Sequence, residues 1–537
     1  MKKKIYLLIL LLVFSAGFLA GQNTGDAGIP VFNKEFPGTL MVGNKPFIML
    51  AAEVNNSSSS SLAYMESQWD KLVRMNCNTA LVPVSWELLE PEEGRFDFTL
   101  VEGLINKARE HDLKLVFLWF GSWKNSLSTY VPEWVKKDTR RFPRAQEKPG
   151  VNMELLSPFG TGSLKADARA FAMLMRKIRE LDEKERTVIM VQVENEVGIH
   201  HTRDYSRQAN RLYESPVPQE LMTYLKKNKD RLTPELDKVW SLSEYKPSGI
   251  WPEVFPEDAP EIFMAWAYAR YINQVIEAGK KEYPLPMYVN AWIVQNDTSK
   301  KTLKEGGYPQ GGPVAGMINI WRAGAPLIDL YAPDIYLSHY REICAEYNRL
   351  GNPLFIPENK NNHQSGAHAV YALSKHAAIG YGPFGIYQVT DDMPLSQAYK
   401  ALANLMPYLI KYRGTPNMTG ILLNRGATEE TAFMGYRVKA TSLESGSPGS
   451  VPANAMIIAL SGDEFLITGA RIRLDFYPAA KESNDVVSTA WMEEGEFVDG
   501  QWAPGRRLNG DERLVILRNS FKILRLKLYR YPHYQKE

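Results

Sequence analysis

Val191-Gln192-Val193-Glu194-Asn195-Glu196-Val197-Gly198 is the stretch on which the reading of this chain turns. The apolar run Val188-Ile189-Met190-Val191 leads into it and reads as a buried strand. The strand then ends in Glu-Asn-Glu, with Gly198 following. Apolar residues along a strand and polar groups at its C-terminal tip are what a parallel α/β barrel asks for, because its interior is a packed core and its chemistry sits at the strand ends. Glu194 and Glu196 lie two residues apart, so in a regular strand both would point the same way. Spacing alone does not choose between them.

Working outward, the same unit repeats. The first strand-length run is Pro46 to Ala51, followed by Glu53-Val54-Asn55-Asn56 and the serines Ser57 to Ser61, read as a βα-loop. Met65, Trp69, Leu72 and Val73 then recur at helical spacing. Thr79–Val84 and Lys114–Trp119 are the next strands, with a helix from about Thr99 between them and Asp97 as its expected N-cap. A helix from about Ala168 to Leu181, with Asp167 as its expected N-cap, precedes the opening strand. Asp258 and Glu261 frame Pro260 as an expected capping box for a helix running to about Lys281. Further strands fall at Pro286–Asn290, Leu327–Ala332, up to Glu358, and Phe384–Gln388, with a last helix from about Leu395 to Tyr412. Eight strand-like runs, most followed by a helical pattern, predict an α/β fold of the (β/α)8 TIM-barrel type over residues 22–413, with a long insertion over about 202–257. From 414 to 537 the period changes to two, as in Ile472, Leu474, Phe476 and Leu524, Leu526, Leu528, which predicts a smaller antiparallel, β-sandwich-like accessory domain.

Composition bounds the partners. The chain has 537 residues, 45% hydrophobic and 23% charged, and a net charge of +2, three of whose positives are Lys2, Lys3 and Lys4. The rest is near neutral, which speaks against nucleic acid or an anionic membrane as partner. Those lysines precede the apolar run Ile5–Leu19 and the small residues Ala20 and Gly21, the pattern of a secretory signal peptide over 1–21. The run is short for a bilayer span, and no cysteine follows it to take a lipid. The expectation is a secreted or periplasmic protein with no membrane attachment once the leader is removed. Cys77 and Cys344 are expected to be buried free thiols, and with no Cys/His ligand spacing neither metal nor cofactor is expected.

The second carboxylate is expected at Glu358, at the end of Pro353-Leu354-Phe355-Ile356-Pro357. Two carboxyl groups at the tips of two strands of one barrel are the equipment for cleaving a glycosidic bond: an acid for the leaving oxygen and a carboxylate at the anomeric carbon. Trp86, Trp119, Trp123 and Trp292 are candidate stacking platforms for a sugar. Asn290, Tyr288 and Tyr336 sit at strand tips, and His200-His201 is expected at the pocket rim rather than on a metal.

Gln192-Val193-Glu194-Asn195-Glu196-Val197-Gly198 resembles the Gln-x-Glu-Asn-Glu-x-Gly segment of glycoside hydrolase family 35. Trp86-Glu87-Leu88-Leu89-Glu90-Pro91 followed by Gly94-Arg95-Phe96-Asp97-Phe98, and Tyr130-Val131-Pro132-Glu133-Trp134, resemble two further segments of that β-galactosidase family. The resemblance spans roughly 40 to 410 and implies a retaining hydrolase. It implies Glu196 as acid/base, Glu358 as nucleophile, Asn195 on the sugar 2-hydroxyl and Glu194 in support. Glu87, Trp123, Asn290, Tyr336 and Trp292 complete the expected substrate contacts. The chain departs from the pattern where the family carries Ala-Glu-Trp, its galactose-reading Glu: here stands Gly121-Ser122-Trp123. Glu87 and Leu89 likewise replace an Asn and a His. The expectation is therefore an exo-acting retaining β-galactosidase on plant or host oligo- or polysaccharides. The alternatives are the same chemistry on another β-glycoside (glucoside, glucosaminide or arabinoside) and a carbohydrate-binding protein on an inactive barrel.

Overall fold

The apolar runs become the parallel strands of a barrel. In the computed structural model, which describes residues 28–33, 38–295, 307–390, 392–443, 451–518 and 520–534, the leader expected over 1–21 lies outside the described residues. The barrel strands are β1 (Met49–Glu53), β2 (Thr79–Ser85), β3 (Lys114–Lys124), β4 (Val188–Asn195), β5 (Met287–Trp292), β6 (Leu330–Ile335), β7 in two pieces (Phe355–Ile356 and Glu358–Asn359) and β8 (Gly380–Tyr381). A helix follows each: α1 (Leu62–Arg74), α2 (Thr99–Glu110), α3 (Thr161–Asp182), α4 (Ala259–Glu282), α5 (Ile318–Gly324), α6 (Tyr340–Tyr347), α7 (Ser365–Lys375) and α8 (Pro394–Asn404). The ring closes through β7. Its first piece pairs with β8 (Phe355 opposite Gly380) and its second with β6 (Glu358 opposite Asp334). Pro357, which has no N–H to give a ladder, separates the two.

Period-two alternation builds the interior. Met49 and Ala51 of β1, Leu81 of β2, Tyr288 of β5, Leu330 and Ala332 of β6 and Phe355 of β7 pack in one buried cluster inside the ring. One step further along the same strand faces come Glu53, Asn290 and Asp334, all buried. The barrel is thus an apolar plug with a polar cap at the C-terminal ends. Leu40, from a small N-terminal antiparallel sheet (Val31–Phe32, Leu40–Val42, Lys45–Pro46), joins the interior cluster. That sheet takes Lys45 and Pro46, so the first barrel strand begins at Met49, later than the apolar run suggested.

Other expectations shift for physical reasons. The serine run is ordered: Ser59 Oγ donates to Pro83 O at 2.6 Å, and the Ser61 side chain accepts from Tyr64 N to start α1. Asp167 is not an N-cap, because α3 begins at Thr161 and Asp167 is buried inside it. Nor is Asp258–Glu261 a capping box. Asp258 makes no side-chain cap bond, and Glu261 is buried, accepting from the Tyr308 hydroxyl at 2.9 Å. The eighth strand is Gly380–Tyr381, and Ile386–Gln388 is a single turn of 3-10 helix. The last helix breaks at Leu405, with Met406–Tyr412 as a separate piece. The insertion folds into four short helices (Arg207–Tyr213, Gln219–Lys227, Pro234–Ser241, Trp251–Val254). Cys77 and Cys344 are buried free thiols. No helix among the described residues is long and apolar enough to cross a membrane.

Beyond the barrel stand ten antiparallel strands: β9 (Met418–Leu423), β10 (Thr428–Phe433), β11 (Tyr436–Ser442), β12 (Ala453–Ala459), β13 (Glu464–Ala470), β14 (Ile472–Pro478), β15 (Asp485–Val498), β16 (Gln501–Leu508), β17 (Val515–Leu517) and β18 (Ile523–Pro532). They form a six-stranded sheet in the order β9-β12-β13-β18-β15-β16 and a four-stranded sheet in the order β10-β11-β14-β17. Val438, Leu474, Ile457, Ile467 and Leu526 fill the space between the sheets. The other face of the larger sheet is also covered: Met456, Ile458, Leu466 and Ile523 belong to the apolar cluster of the barrel, and β9 and β12 pack on α7. One core running through both units predicts one cooperative unfolding transition. Leu466→Ala should destabilise it by about 2–5 kcal/mol, measured by denaturant unfolding. Two separate transitions, with only one moved by the substitution, would contradict the shared core.

Candidate active site

The exits of β3 and β4 face one another, and both leave the regular strand. Glu194 and Glu196 have φ of 63° and 45°, and Asn125 and Ser126 have φ of 51° and 59°. Non-glycine residues enter this left-handed region at a cost of about 1–3 kcal/mol each unless their surroundings hold them. Here each loop holds the other. Asn125 N donates to Asn195 O at 3.2 Å, the Asn125 side-chain amide donates to Glu196 Oε2, and Ser126 Oγ donates to Glu196 O at 3.3 Å. Glu196 N donates to Asn290 Oδ1 at 3.0 Å.

The bent exit sends three neighbouring side chains to three destinations. Glu194, fully buried, accepts from Ser122 N at 3.1 Å and Trp123 N at 2.6 Å and bonds Asp167. Asp167 also accepts from Trp119 Nε1 at 3.0 Å and Ser122 Oγ at 2.7 Å. Burial, then the charge of Asp167 and the bond to it, hold the Glu194 carboxyl well above the carboxylate range, so the pair shares a proton. Gly121 is obligatory beside it: a Cβ there would lie 2.6 Å from Glu194 Oε1 and 2.3 Å from Trp119 Nε1. Asn195 Nδ2 donates to Glu358 Oε1 at 3.1 Å, and Lys124 Nζ donates to Asn195 Oδ1 at 2.9 Å, which sets the amide's orientation.

Glu196 and Glu358 are brought together. They and Asp334 each offer a carboxylate oxygen, and these three atoms lie within 4.8 Å of one another. Tyr336, at 45% exposure, donates its hydroxyl to Glu358 Oε2 at 2.9 Å. Asn290 Nδ2 donates to Asp334 Oδ2 at 2.6 Å, so this one amide ties the Glu196 backbone to Asp334. Burial, then the charge of Glu358, raises Glu196 to about 7, with Lys124, Asp334 and Asn125 pulling the other way. Burial, then Glu358, Glu196 and Glu53, holds Asp334 well above its ordinary range. For Lys124, burial lowers the pKa, but Glu358, Glu196, Glu53 and Asp334 together outweigh it and the ammonium is raised. The trio Glu196, Asp334 and Glu358 is the donor type a hard cation takes; positive charge beside it comes from Lys124. Chemically, the arrangement pairs a carboxyl that carries a proton near neutral pH with a second carboxyl group oriented by two donors.

The other candidates fall in different places. Trp123 has no exposed surface. Its indole donates to Leu156 O at 3.0 Å, and its ring lies on Tyr268 and Tyr271, so it braces β3 and offers no platform to a sugar. Trp86 and Trp119 are buried likewise, bonded to Glu90 and Asp167. Tyr288 lies inside the ring against Phe355. Trp292 is partly exposed, edge-to-face with His200 at 5.1 Å. Glu87 is not among the grouped carboxylates. It pairs with Lys136 at 2.9 Å and lines a side cleft of about 210 Å³ with Asn56, Ser85 and Tyr130. Lys124, Asn125 and Asp167 were not legible as site residues. For Lys124 and Asn125 the signal was weak: polar residues just past an apolar run, whose partners are distant in sequence; Asp167 read as a helix cap.

Residues 58–246 match the family model of glycoside hydrolase family 42, described as beta-galactosidase, and residues 395–518 match a domain of unknown function, DUF5597. No curated protein matches the chain in sequence. Among solved structures, a beta-galactosidase from Bacillus circulans sp. alkalophilus is 11% identical, with 92% of this chain and all of that one covered and a TM-score of 0.49. The beta-galactosidase from Rahnella sp. R3 is 13% identical at a TM-score of 0.45, over 71% of this chain; the match spans 58% of that enzyme's length. The catalytic domain of a beta-amylase from Paenibacillus polymyxa is 12% identical at a TM-score of 0.43, with 68% of this chain and 98% of that one covered. The matching model is that of family 42, and family 35, which the motifs at 86–98 and 192–198 resemble, is without support from it. What stands above both families is the likeness itself: residues 58–246 are similar to a glycoside hydrolase family, and the fold that carries them is a (β/α)8 barrel.

Proposed function

We propose that the chain is an exo-acting retaining β-galactosidase in which Glu358 is the nucleophile and Glu196 the acid/base. The observation that carries this is the proximity of Glu196 and Glu358, with carboxylate oxygens within 4.8 Å. Retaining glycosidases hold their two carboxyl groups about 5–5.5 Å apart, whereas inverting ones leave about 6.5–9.5 Å for a water. Glu358 attacks the anomeric carbon while Glu196 gives its proton to the departing oxygen. Glu196 then takes a proton from the water that releases the sugar from Glu358. Asn195 and Tyr336 keep both Glu358 oxygens aimed during the attack, and Asn195 takes the sugar 2-hydroxyl, as the family 35 resemblance implies. The carboxyls lie below the surface, 5% and 4% exposed, which suits release of a terminal residue better than cleavage within a chain. Galactose is supported by the description of the matching model. A different β-glycoside is favoured by one observation: Gly121 and Ser122, where family 35 has its galactose-reading Glu, are taken up by the Glu194 clamp. Export is supported by the leader pattern at 1–21, and plant or host glycans are the substrates an exported enzyme would meet.

A panel of nitrophenyl β-glycosides separates the sugars, and turnover of none of them would sink the proposal. Glu196→Gln and Glu358→Gln should each lower kcat by roughly 10³-fold or more without loss of fold; near-wild-type turnover by either would remove that residue from its role. In an NMR time course on a cleaved β-glycoside, the β-anomer of the sugar should appear first. The α-anomer first would mean inversion.

The pH profile tests Glu196 separately. Raising the pH through about 7 strips the proton Glu196 must donate, so kcat/KM should fall on that alkaline limb. The Asn125 bond favours the charged form of Glu196, so Asn125→Gly, which keeps the left-handed backbone available, should move the limb to higher pH. A limb unmoved by this change would detach it from Glu196.

A further inference from the structure

We propose that Glu53 reads a hydroxyl of the sugar ring held between Glu196 and Glu358; this rests on the glycosidase reading above. Glu53 ends β1, directly above Ala51 of the interior plug, and its side chain is fully buried. Its field is that of the catalytic cluster: Glu358, Lys124 and Glu196 are its charged neighbours. Of the carboxyl groups there, Glu196 is bonded by Asn125, Asp334 by Asn290, and Glu358 by Asn195 and Tyr336. Glu53 is different: neither Oε1 nor Oε2 has a hydrogen-bond partner among the described residues. Lys124, the nearby cation, has its ammonium on Asn195.

The fold has no use for this carboxyl. What β1 needs from residue 53 is backbone: Glu53 N donates to Pro383 O at 2.9 Å and Gly385 N donates to Glu53 O at 2.9 Å. Any residue but proline supplies those. An unpartnered polar group in a dry interior is destabilising, more so if charged. A buried carboxyl with both oxygens open, on the barrel-facing side of a strand tip, is complementary to a ligand rich in hydroxyls. A sugar offers donors and acceptors at once, so it can bond the carboxyl in whichever protonation state it holds.

The test is a cycle between enzyme and substrate. Full-length wild type, Glu53→Ala and Glu53→Gln are assayed on the nitrophenyl glycoside the wild type cleaves best and on its monodeoxy analogues. Removing the hydroxyl that Glu53 reads should cost the wild type at least about tenfold in kcat/KM. Glu53→Ala should lose about as much on the parent glycoside, and then less than about threefold more on that one analogue. Losses that multiply at every position overturn the inference while leaving the glycosidase intact; no glycoside turnover by the wild type overturns both. Glu53→Gln, which removes the ionisable group at constant shape, should unfold at the same temperature as the wild type or higher. A clear fall in its Tm would assign Glu53 to the fold and overturn the inference, and if the alanine variant does not fold, Glu53→Met, which removes both oxygens at similar volume, serves in the same cycle.

Discussion

The mutual bracing of two left-handed loop exits is what the rest of the site depends on. Had β4 continued regularly through Glu196, Glu194 and Glu196 would share a face and Asn195 would point into the wall. The positive φ at Glu194 and Glu196 breaks the alternation. One carboxyl then drops into a clamp of backbone N–H groups, the amide turns across the mouth to Glu358, and the second carboxyl rises to meet Asn125. The strain is offset locally by bonds from the exit of β3, so the geometry of Glu196 is a property of two strands and of Asn290 on a third.

Charge is the second constraint. Glu53, Glu196, Asp334 and Glu358 surround one ammonium, Lys124, where water is largely excluded. Four negative charges against one positive charge cannot all persist in such a space, so protons remain on the carboxyls least stabilised as anions. That is how Glu196 comes to hold a proton up to about neutral pH beside Glu358, which is bonded by two donors. A second, separate proton-sharing pair, Glu194 with Asp167, stands behind the wall. It holds Ser122 and Trp123 in place and takes no direct part.

Much of the barrel was legible because each strand is a contiguous apolar run and each helix a 3.6-period stripe. The faces of α1 and α2 at Met65, Trp69, Leu72 and Val101, Leu104, Ile105 pack inward as the pattern implied. What failed had a tertiary cause. The start of α3 hides in Thr161-Gly162-Ser163, poor helix formers, so Asp167 passed for a cap when it is an interior acceptor for Trp119 and Ser122. Trp123 resembled a platform at a strand end, but β3 runs on to Lys124 and draws the indole into the wall. Glu196 and Glu358 were read from motif and position, and the fold brings their carboxyl groups together. Lys124 and Asn125 were not, since a lysine after a strand is nearly always a solvated one; only its burial among carboxyls marks it.

The packing of β9 and β12 on α7 has a consequence for how the molecule comes into being. Synthesis runs from the N-terminus, so the strand bearing Glu196 leaves the ribosome well over a hundred residues before the one bearing Glu358, and the cover for α7 leaves last. Between those two points the growing chain holds one carboxyl group of the cluster without the other, and between α7 and β12 it holds an apolar helix face without its sheet. Assembly of the carboxyl cluster is therefore a late event in the life of each molecule, reached when the seventh strand, cut in two at Pro357, finds a neighbour on either side.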